Sequence, residues 1–333
     1  MSNYLNTGQT SCRDVNGHPI PCPGTGQDAE HAPGLAWPDP RFTAQGELVR
    51  DNLTGLIWSR DANPAGFPLT WAEALDFVEG LGRENHGGRS DWRLPTRREL
   101  ASLISFAHKN PALPVGHPFT NVFPGWYWTG TTSARNPNYA WYVHTEGGRM
   151  FYGAKSGLSL VWPVCGSSPI LPATGQSIAF DSKGRDAQAR IGVKWPSPRF
   201  SVDPEIVMDR LTGLAWSRSA DLAPGETGWE RAFAVAARLD RERLGGMSGW
   251  RLPTINELES LVDASAHTPA LPADHPFTDV QDGYWSSTNS ALEPDWSMVL
   301  YLARGGVGVG YKPKAVFHVW AVCREPLDSG PKK

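Results

Sequence analysis

Three groups of side chains in this 333-residue sequence could do chemistry or hold a ligand. The first is a pair of polar triplets, Asn136-Pro137-Asn138 and Glu293-Pro294-Asp295. Hard oxygens on either side of a turn-forming proline suit calcium, so Glu293 and Asp295 are the expected ligands of a calcium site. Calcium nonetheless wants about six to eight oxygens, and the same triplets also read as ordinary polar proline turns. The second group is aromatic. Trp126 and Tyr139 fall in predicted loops, where an indole or phenol face can stack on the apolar face of a sugar or anchor a protein interface. Tyr127 and Tyr284, which open two Tyr-Trp-x-x-Thr stretches, join them as expected ligand contacts, and Asn136, Asn138, Glu293 and Asp295 supply the polar atoms. The third group is the four cysteines. Cys12 and Cys22 stand in a Pro/Gly-rich segment with nine residues between them and read as a local hairpin disulfide, which needs an oxidising compartment. Cys165 and Cys323 lie in apolar closing segments and read as buried thiols.

Catalysis finds no comparable foothold. Histidines are scattered, and His117 and His275 recur inside His-Pro-Phe-Thr turns, where a structural role is the simpler reading. The sequence has no His-x-x-x-His, Cys-x-x-Cys, Gly-x-Ser-x-Gly or phosphate loop. No catalytic residue is assigned, and a non-enzymatic protein is expected.

These groups sit in a sequence that repeats itself at an offset of about 158 residues. Asp51-Asn-Leu-Thr-Gly-Leu-Ile-Trp58 returns as Asp209-Arg-Leu-Thr-Gly-Leu-Ala-Trp216, and Trp92-Arg-Leu-Pro-Thr96 as Trp250-Arg-Leu-Pro-Thr254. The proline loop from Pro111 to Val122 returns from Pro269 to Val280, and each copy closes on Trp-x-Val-Cys, ending at Cys165 and Cys323. An arm, Thr7-Gly-Gln9 or Thr174-Gly-Gln176, precedes each copy and leads to Trp-Pro-x-Pro-Arg-Phe. Seven tryptophan pairs line up, 141/296 among them; Trp126 has no partner and Tyr139 reads as private to copy one. Trp58, Trp71, Trp92 and Trp162 with their partners read as core, because repetition inside element patterns points to packing. The period is too long for a solenoid, so two tandem domains are expected, 1–168 and 169–333, joined near 166–172.

The elements that must position these residues are legible within each copy. Leu56-Ile-Trp58 reads as a short strand after a Thr-Gly turn. Thr70-Trp-Ala-Glu73 forms a capping box before Trp71, Leu75, Val78 and Leu81 at helical spacing, whereas copy two has Gly228 and Arg231 at the box positions. Thr96-x-x-Glu99 and Thr254-x-x-Glu257 cap a second helix in both copies. Aromatic strands broken by Gly147-Gly148 and Gly305-Gly306 follow as hairpins. The order of strand, two helices, long loop and several strands makes the class α+β.

Composition narrows the partners. With 31 basic against 34 acidic residues, a net charge of -3 argues against a general nucleic-acid binder. No apolar run reaches the roughly 18–20 residues of a membrane span. The opening MSNYLNTGQT is not a signal peptide as it stands, which leaves a removed leader or another route. Arginines cluster at 83, 89, 93, 97 and 98, and again at 231, 238, 241, 243 and 251. Solvated helix faces, with Arg93 and Arg251 tied to Glu99 and Glu257, account for them.

The set Asp-x-x-Thr-Gly-Leu-x-Trp, Trp-Arg-Leu-Pro-Thr-x-x-Glu-Leu, Tyr-Trp-x-x-Thr and Trp-x-Val resembles the Lcl C-terminal domain family, named after a bacterial collagen-like adhesin. The resemblance covers about 43–166 and 201–325. It implies a C-type-lectin-like fold and ligand binding at the cell surface, in the named member to sulfated glycosaminoglycans, with trimer formation. Calcium-dependent lectins of that fold hold sugar through similar triplets, but no Trp-Asn-Asp partner follows here, and there is no Gly-x-x stalk. The expectation is therefore a non-enzymatic extracellular or cell-surface protein, with the periplasm or a phage-like particle as alternatives. Its partner would be a glycan or a surface protein, with no cofactor beyond the calcium weighed above. A self-assembling layer, filament or appendage component, and hence a homo-oligomer, is one alternative reading. A degenerate enzyme of the formylglycine-generating type is another.

Overall fold

The structure is a computed structural model that describes residues 4–181 and 191–324; residues 1–3, 182–190 and 325–333 of the two expected domain spans lie outside the described residues. The N-terminal arm carries β1 (Cys12–Arg13), β2 (Pro19–Ile20) and α1 (Asp28–His31). Copy one runs β3 (Phe42–Gln45), β4 (Leu48–Asp51), β5 (Ile57–Ser59), α2 (Trp71–Arg83), α3 (Arg97–Ser102), β6 (Trp126–Thr132), β7 (Tyr139–His144), β8 (Met150–Ala154) and β9 (Val164–Cys165). Copy two repeats the order as β10 (Phe200–Val202), β11 (Ile206–Asp209), β12 (Leu214–Ser217), α4 (Trp229–Glu242), α5 (Ile255–Ser260), β13 (Gly283–Asn289), β14 (Trp296–Tyr301), β15 (Gly306–Tyr311) and β16 (Val322–Arg324). The expected α+β class and the two similar halves are what the structure contains.

Local chemistry accounts for the elements. The capping boxes at Thr70, Thr96 and Thr254 are all formed, while Gly228 begins α4 without a side-chain cap. Helix α2 buries Trp71, Ala74, Leu75, Val78 and Leu81, a stripe that matches a 3.6-residue period. In the Asp-x-x-Thr-Gly turn, Asp51 accepts from the Leu53 N–H at 3.0 Å and the Thr54 hydroxyl at 2.8 Å. Gly55 follows at φ 76°, where a side chain would be strained. Copy two repeats these contacts at Asp209.

Each copy has a four-stranded antiparallel sheet, β3-β4-β5-β9 or β10-β11-β12-β16. The remaining strands form one six-stranded sheet, β13-β14-β15-β8-β7-β6, to which both copies contribute. The seam is β8 against β15, where Met150 faces Val307. Strand register aligns Trp128 with Trp285, each facing Tyr142 or Val299 across its hairpin, an offset that also makes Met150 and Val307 equivalents. The pseudo-twofold axis relating the copies therefore passes through that pair. The same register corrects the tryptophan alignment: Trp296 matches Tyr139, and Trp141 matches Met298. Tyr139 thus has an aromatic counterpart after all; matching tryptophan with tryptophan implied unequal loops, whereas the two copies space these strands identically.

The inner face of the six-stranded sheet packs into a core shared by the copies, including Trp58, Trp162, Trp216 and Trp320. The arms cross this junction. Gln9 accepts the Asn289 N–H of copy two at 2.9 Å, and Gln176 accepts the Thr132 N–H of copy one at 3.0 Å. Arg98 of copy one reaches the Ala173, Glu259, Ser260 and Val262 carbonyls and the Glu259 carboxylate.

Candidate functional site

The repeated motifs turn out to be framework. Arg93 and Arg251 make bidentate pairs with Glu99 and Glu257 at 2.6–2.7 Å. The indoles of Trp92 and Trp250 donate to the carbonyls of His86 and Leu244. Arg199 of the Trp-Pro-x-Pro-Arg-Phe stretch binds Asp209 at 2.8 and 3.0 Å and the Ser260 carbonyl at 2.8 Å, tying the arm to the turn and to the end of α5. Arg97 is buried, lies 3.8 Å from the Trp141 ring centre, and donates to the Gly305 carbonyl across the junction. Arg93, Arg97, Arg98 and Arg251 are thus committed internally and offer no basic surface.

Two of the expected ligand contacts are core residues. Tyr127 and Tyr284 are fully buried. Their hydroxyls accept the Phe123 N–H at 3.0 Å and the Gln281 N–H at 2.6 Å, so these side chains anchor the preceding loops and present nothing to solvent. The motif position was informative, but it marked a packing role. Their pairing with Trp-x-x-Thr in both copies was the available signal.

The polar triplets occupy equivalent turns. Asn136 accepts the Asn138 N–H at 3.0 Å, and the Asn138 carbonyl accepts the Lys155 N–H at 2.8 Å. In copy two the Asp295 carbonyl accepts the Lys312 N–H at 3.0 Å. The Lys312 ammonium then turns into the loop and donates to Asn289 Oδ1 at 2.6 Å, the Pro294 carbonyl at 2.9 Å and the Asp14 carbonyl of the arm at 3.2 Å. Burial pulls this ammonium down to about 7. Glu293 faces Arg149 of copy one at 3.4 Å. The loop expected to hold calcium therefore carries the chain's own lysine, and among the described residues no group of three or more acidic, histidine or cysteine side chains is placed to hold a metal.

The disulfide Cys12–Cys22 is formed and closes the arm hairpin, whose Gly17 lies against Pro294 and Asp295. Cys165 is a buried free thiol, pushed up to about 12 by burial, which makes it a poor nucleophile.

Trp126 behaves differently. It begins β6 on the outer face of the six-stranded sheet and is half-buried. Its ring centre lies 4.2 Å from Tyr142, 4.6 Å from His144 and 6.4 Å from Phe151. Phe151 is 6.3 Å from Tyr301 of copy two, which is 5.8 Å from Phe317. These rings are all half-buried, so a row of aromatic faces crosses the seam. Sequence reasoning found its first member because Trp126 lacked a partner. Tyr142, Phe151 and Tyr301 were concealed in strands that read as hairpin. Beyond the row, a cleft of about 520 Å³ opens where the copy-one proline loop meets the arm and copy two. Arg13, His108, Lys109 and His117 line it. Burial lowers both imidazoles below their usual value, leaving Arg13 and Lys109 as its charge at neutral pH.

The architecture defines a tandem α+β protein whose repeated motifs build a scaffold and whose half-exposed aromatic side chains lie on a shared sheet. The Lcl C-terminal domain model matches residues 47–165 and 205–323, and the chain belongs to that family as two tandem copies. The family is associated with bacterial surface proteins and is generally non-catalytic. A search of curated proteins finds no match. Among the described residues no helix is long and apolar enough to cross a membrane.

Proposed function

We propose that this chain is a non-catalytic binding protein of the bacterial surface that captures a glycan on the outer face of its six-stranded sheet. The observation that carries this reading is the row led by Trp126, because half-exposed aromatic rings on a rigid sheet offer ring faces at little entropic cost. Long loops over short helices and antiparallel sheets agree with the C-type-lectin-like fold that family membership implies. A disulfide in the arm agrees with an oxidising location. Asn136 and Asn138 lie on the loop before β7 and Tyr139 begins that strand, so these residues would serve as peripheral contacts.

A glycan array probed with the intact chain and with Trp126→Ala tests the reading. Hits that weaken in the variant and persist in chelator are expected, since Lys312 already occupies the triplet loop. Binding abolished by chelator would instead place the site at Glu293 and Asp295. Hits confined to sulfated glycans and lost at high salt would move the site to the Arg13–Lys109 cleft. The arm exchange favours a second reading, self-assembly, because the Gln9–Asn289 contact made between chains would link them. Light scattering that rises with concentration in the absence of glycan would support it.

A further inference from the structure

The aromatic row has seats built for it. A Cβ on Gly153 would come within 2.4 Å of the Tyr142 ring, and one on Gly308 within 2.8 Å of Tyr301 and 2.9 Å of Phe151. Gly306 lies 3.1 Å from Phe151 on the same measure. Tyr142, Phe151 and Tyr301 therefore rest on bare backbone, a packing that holds an aromatic ring against a strand glycine. Trp126 stacks on Tyr142, with ring centres 4.2 Å apart and planes at 37°, so Tyr142 backs the indole; Phe151 meets Trp126 edge-on at 68° and lies at 37° to Tyr301. Phe317 stands at 83° to Tyr301 and closes the copy-two end. The seats for Phe151 come from copy two, and their copy-one equivalents are Arg149 and Phe151 itself. Neither copy alone could make this surface.

Charge is absent from the row. Arg149, the nearest cation in sequence, is paired with Glu293, and Arg97 and Arg98 are buried at the junction. Among the described residues no guanidinium or ammonium group lies over these rings, whereas Trp37, Trp71, Trp141, Trp195 and Trp229 each carry one.

We propose that Trp126, Phe151 and Tyr301, with Tyr142 backing the indole, form an array of stacking subsites for an extended, uncharged glycan chain lying across both copies. This rests on the binding role above and adds the ligand class and the joint site. Ring centres 6.4 Å apart from Trp126 to Phe151 and 6.3 Å apart from Phe151 to Tyr301 suit an extended chain that meets one ring after another, whereas a single terminal sugar would use one ring.

The test is titration of the intact chain with linear β-1,4-linked glucose and N-acetylglucosamine oligomers of two to six units, at about 0.1 M and about 1 M salt. Affinity should climb with length up to about three units and change little with salt. Phe151→Ala and Tyr301→Ala should each weaken the six-unit chain about tenfold and flatten the length dependence, while Tyr301→Phe, which keeps the ring, should not. Unchanged melting of the variants separates lost stacking from lost fold. Equal affinity for short and long oligomers with both alanine variants neutral would overturn the array. So would a well-folded protein that ignores every neutral linear oligomer. If array hits nevertheless depend on Trp126, the glycan-capture reading survives and only the joint site falls. If the same face instead binds a protein and no glycan, both fall.

Discussion

Replacing Glu259 with alanine should unfold both copies together at a lower denaturant concentration. Glu259 lies on α5 of copy two, yet its carboxylate faces two arginines of copy one, 3.5 Å from Arg97 and 3.3 Å from Arg98. Both guanidinium groups are almost fully buried, and burial pulls Arg97 down to about 10. Removing the acid would leave two buried like charges without a counterion, a change that costs about 3–5 kcal/mol when a buried pair loses one partner. Glu259 keeps 15% side-chain exposure, so about 3 kcal/mol is the expected loss. Glu259→Gln keeps an oxygen for Arg98 and should lose roughly half as much. Urea unfolding followed by tryptophan fluorescence should give one transition for each variant, shifted to lower midpoint with unchanged slope. Two resolved transitions, or a loss below about 0.5 kcal/mol, would refute the idea that this cluster joins the copies into one cooperative unit.

Asp28, fully buried and bonded to the Thr288 hydroxyl at 2.5 Å, is raised from 3.8 to about 6 by burial. Its folded value lies above its unfolded one, so its ionisation costs stability progressively as pH rises from about 4 to about 6, and the cost is complete above that window. Asp28→Asn should gain up to about 3 kcal/mol at pH 7 and nothing at pH 3; melting curves with parallel pH profiles for the two proteins would count against it. Thr254→Ala removes the cap of α5 and should cost about 1 kcal/mol in urea unfolding, with Thr96→Ala matching it in copy one. Gly308→Ala puts a methyl group under Phe151 and Tyr301 and should quench ligand binding far more than it lowers the melting temperature; equal losses in both would show that the seat matters only for folding.

Much of the scaffold was legible because it rests on local rules. Capping boxes, the Thr-Gly turn and the Gly-broken hairpins each involve residues a few positions apart, so spacing alone exposes them. The pairing of Arg93 with Glu99 was readable for the same reason. The joining of the copies was not, because Arg98 reaches Glu259 and Gln9 reaches Asn289 over separations of 161 and 280 residues. Tyr127 and Tyr284 misled because a tyrosine at a loop edge reads as exposed, although its hydroxyl is what ties the loop down. Glu293 and Asp295 had calcium-like chemistry, but the lysine that fills the loop comes from the next hairpin.

The duplication has a physical consequence for the site. A homodimer of identical copies would place the same residue at both positions about the axis through Met150 and Val307, so that a ring and its seat would have to be one residue type. Two copies of the first would set Arg149 and Phe151 where Gly306 and Gly308 now lie, filling the seat of Phe151 with side chains. Two copies of the second would keep Tyr301 over Gly308 on each side but would set glycines facing glycines at the seam, with no Phe151 between them. Fusing the copies in one chain lets the two sides of the seam differ, with Phe151 on one strand and bare backbone on the other. The motifs shared by the copies keep the fold, and the residues in which they differ build the ring surface, so the divergence between them is where ligand specificity should be sought.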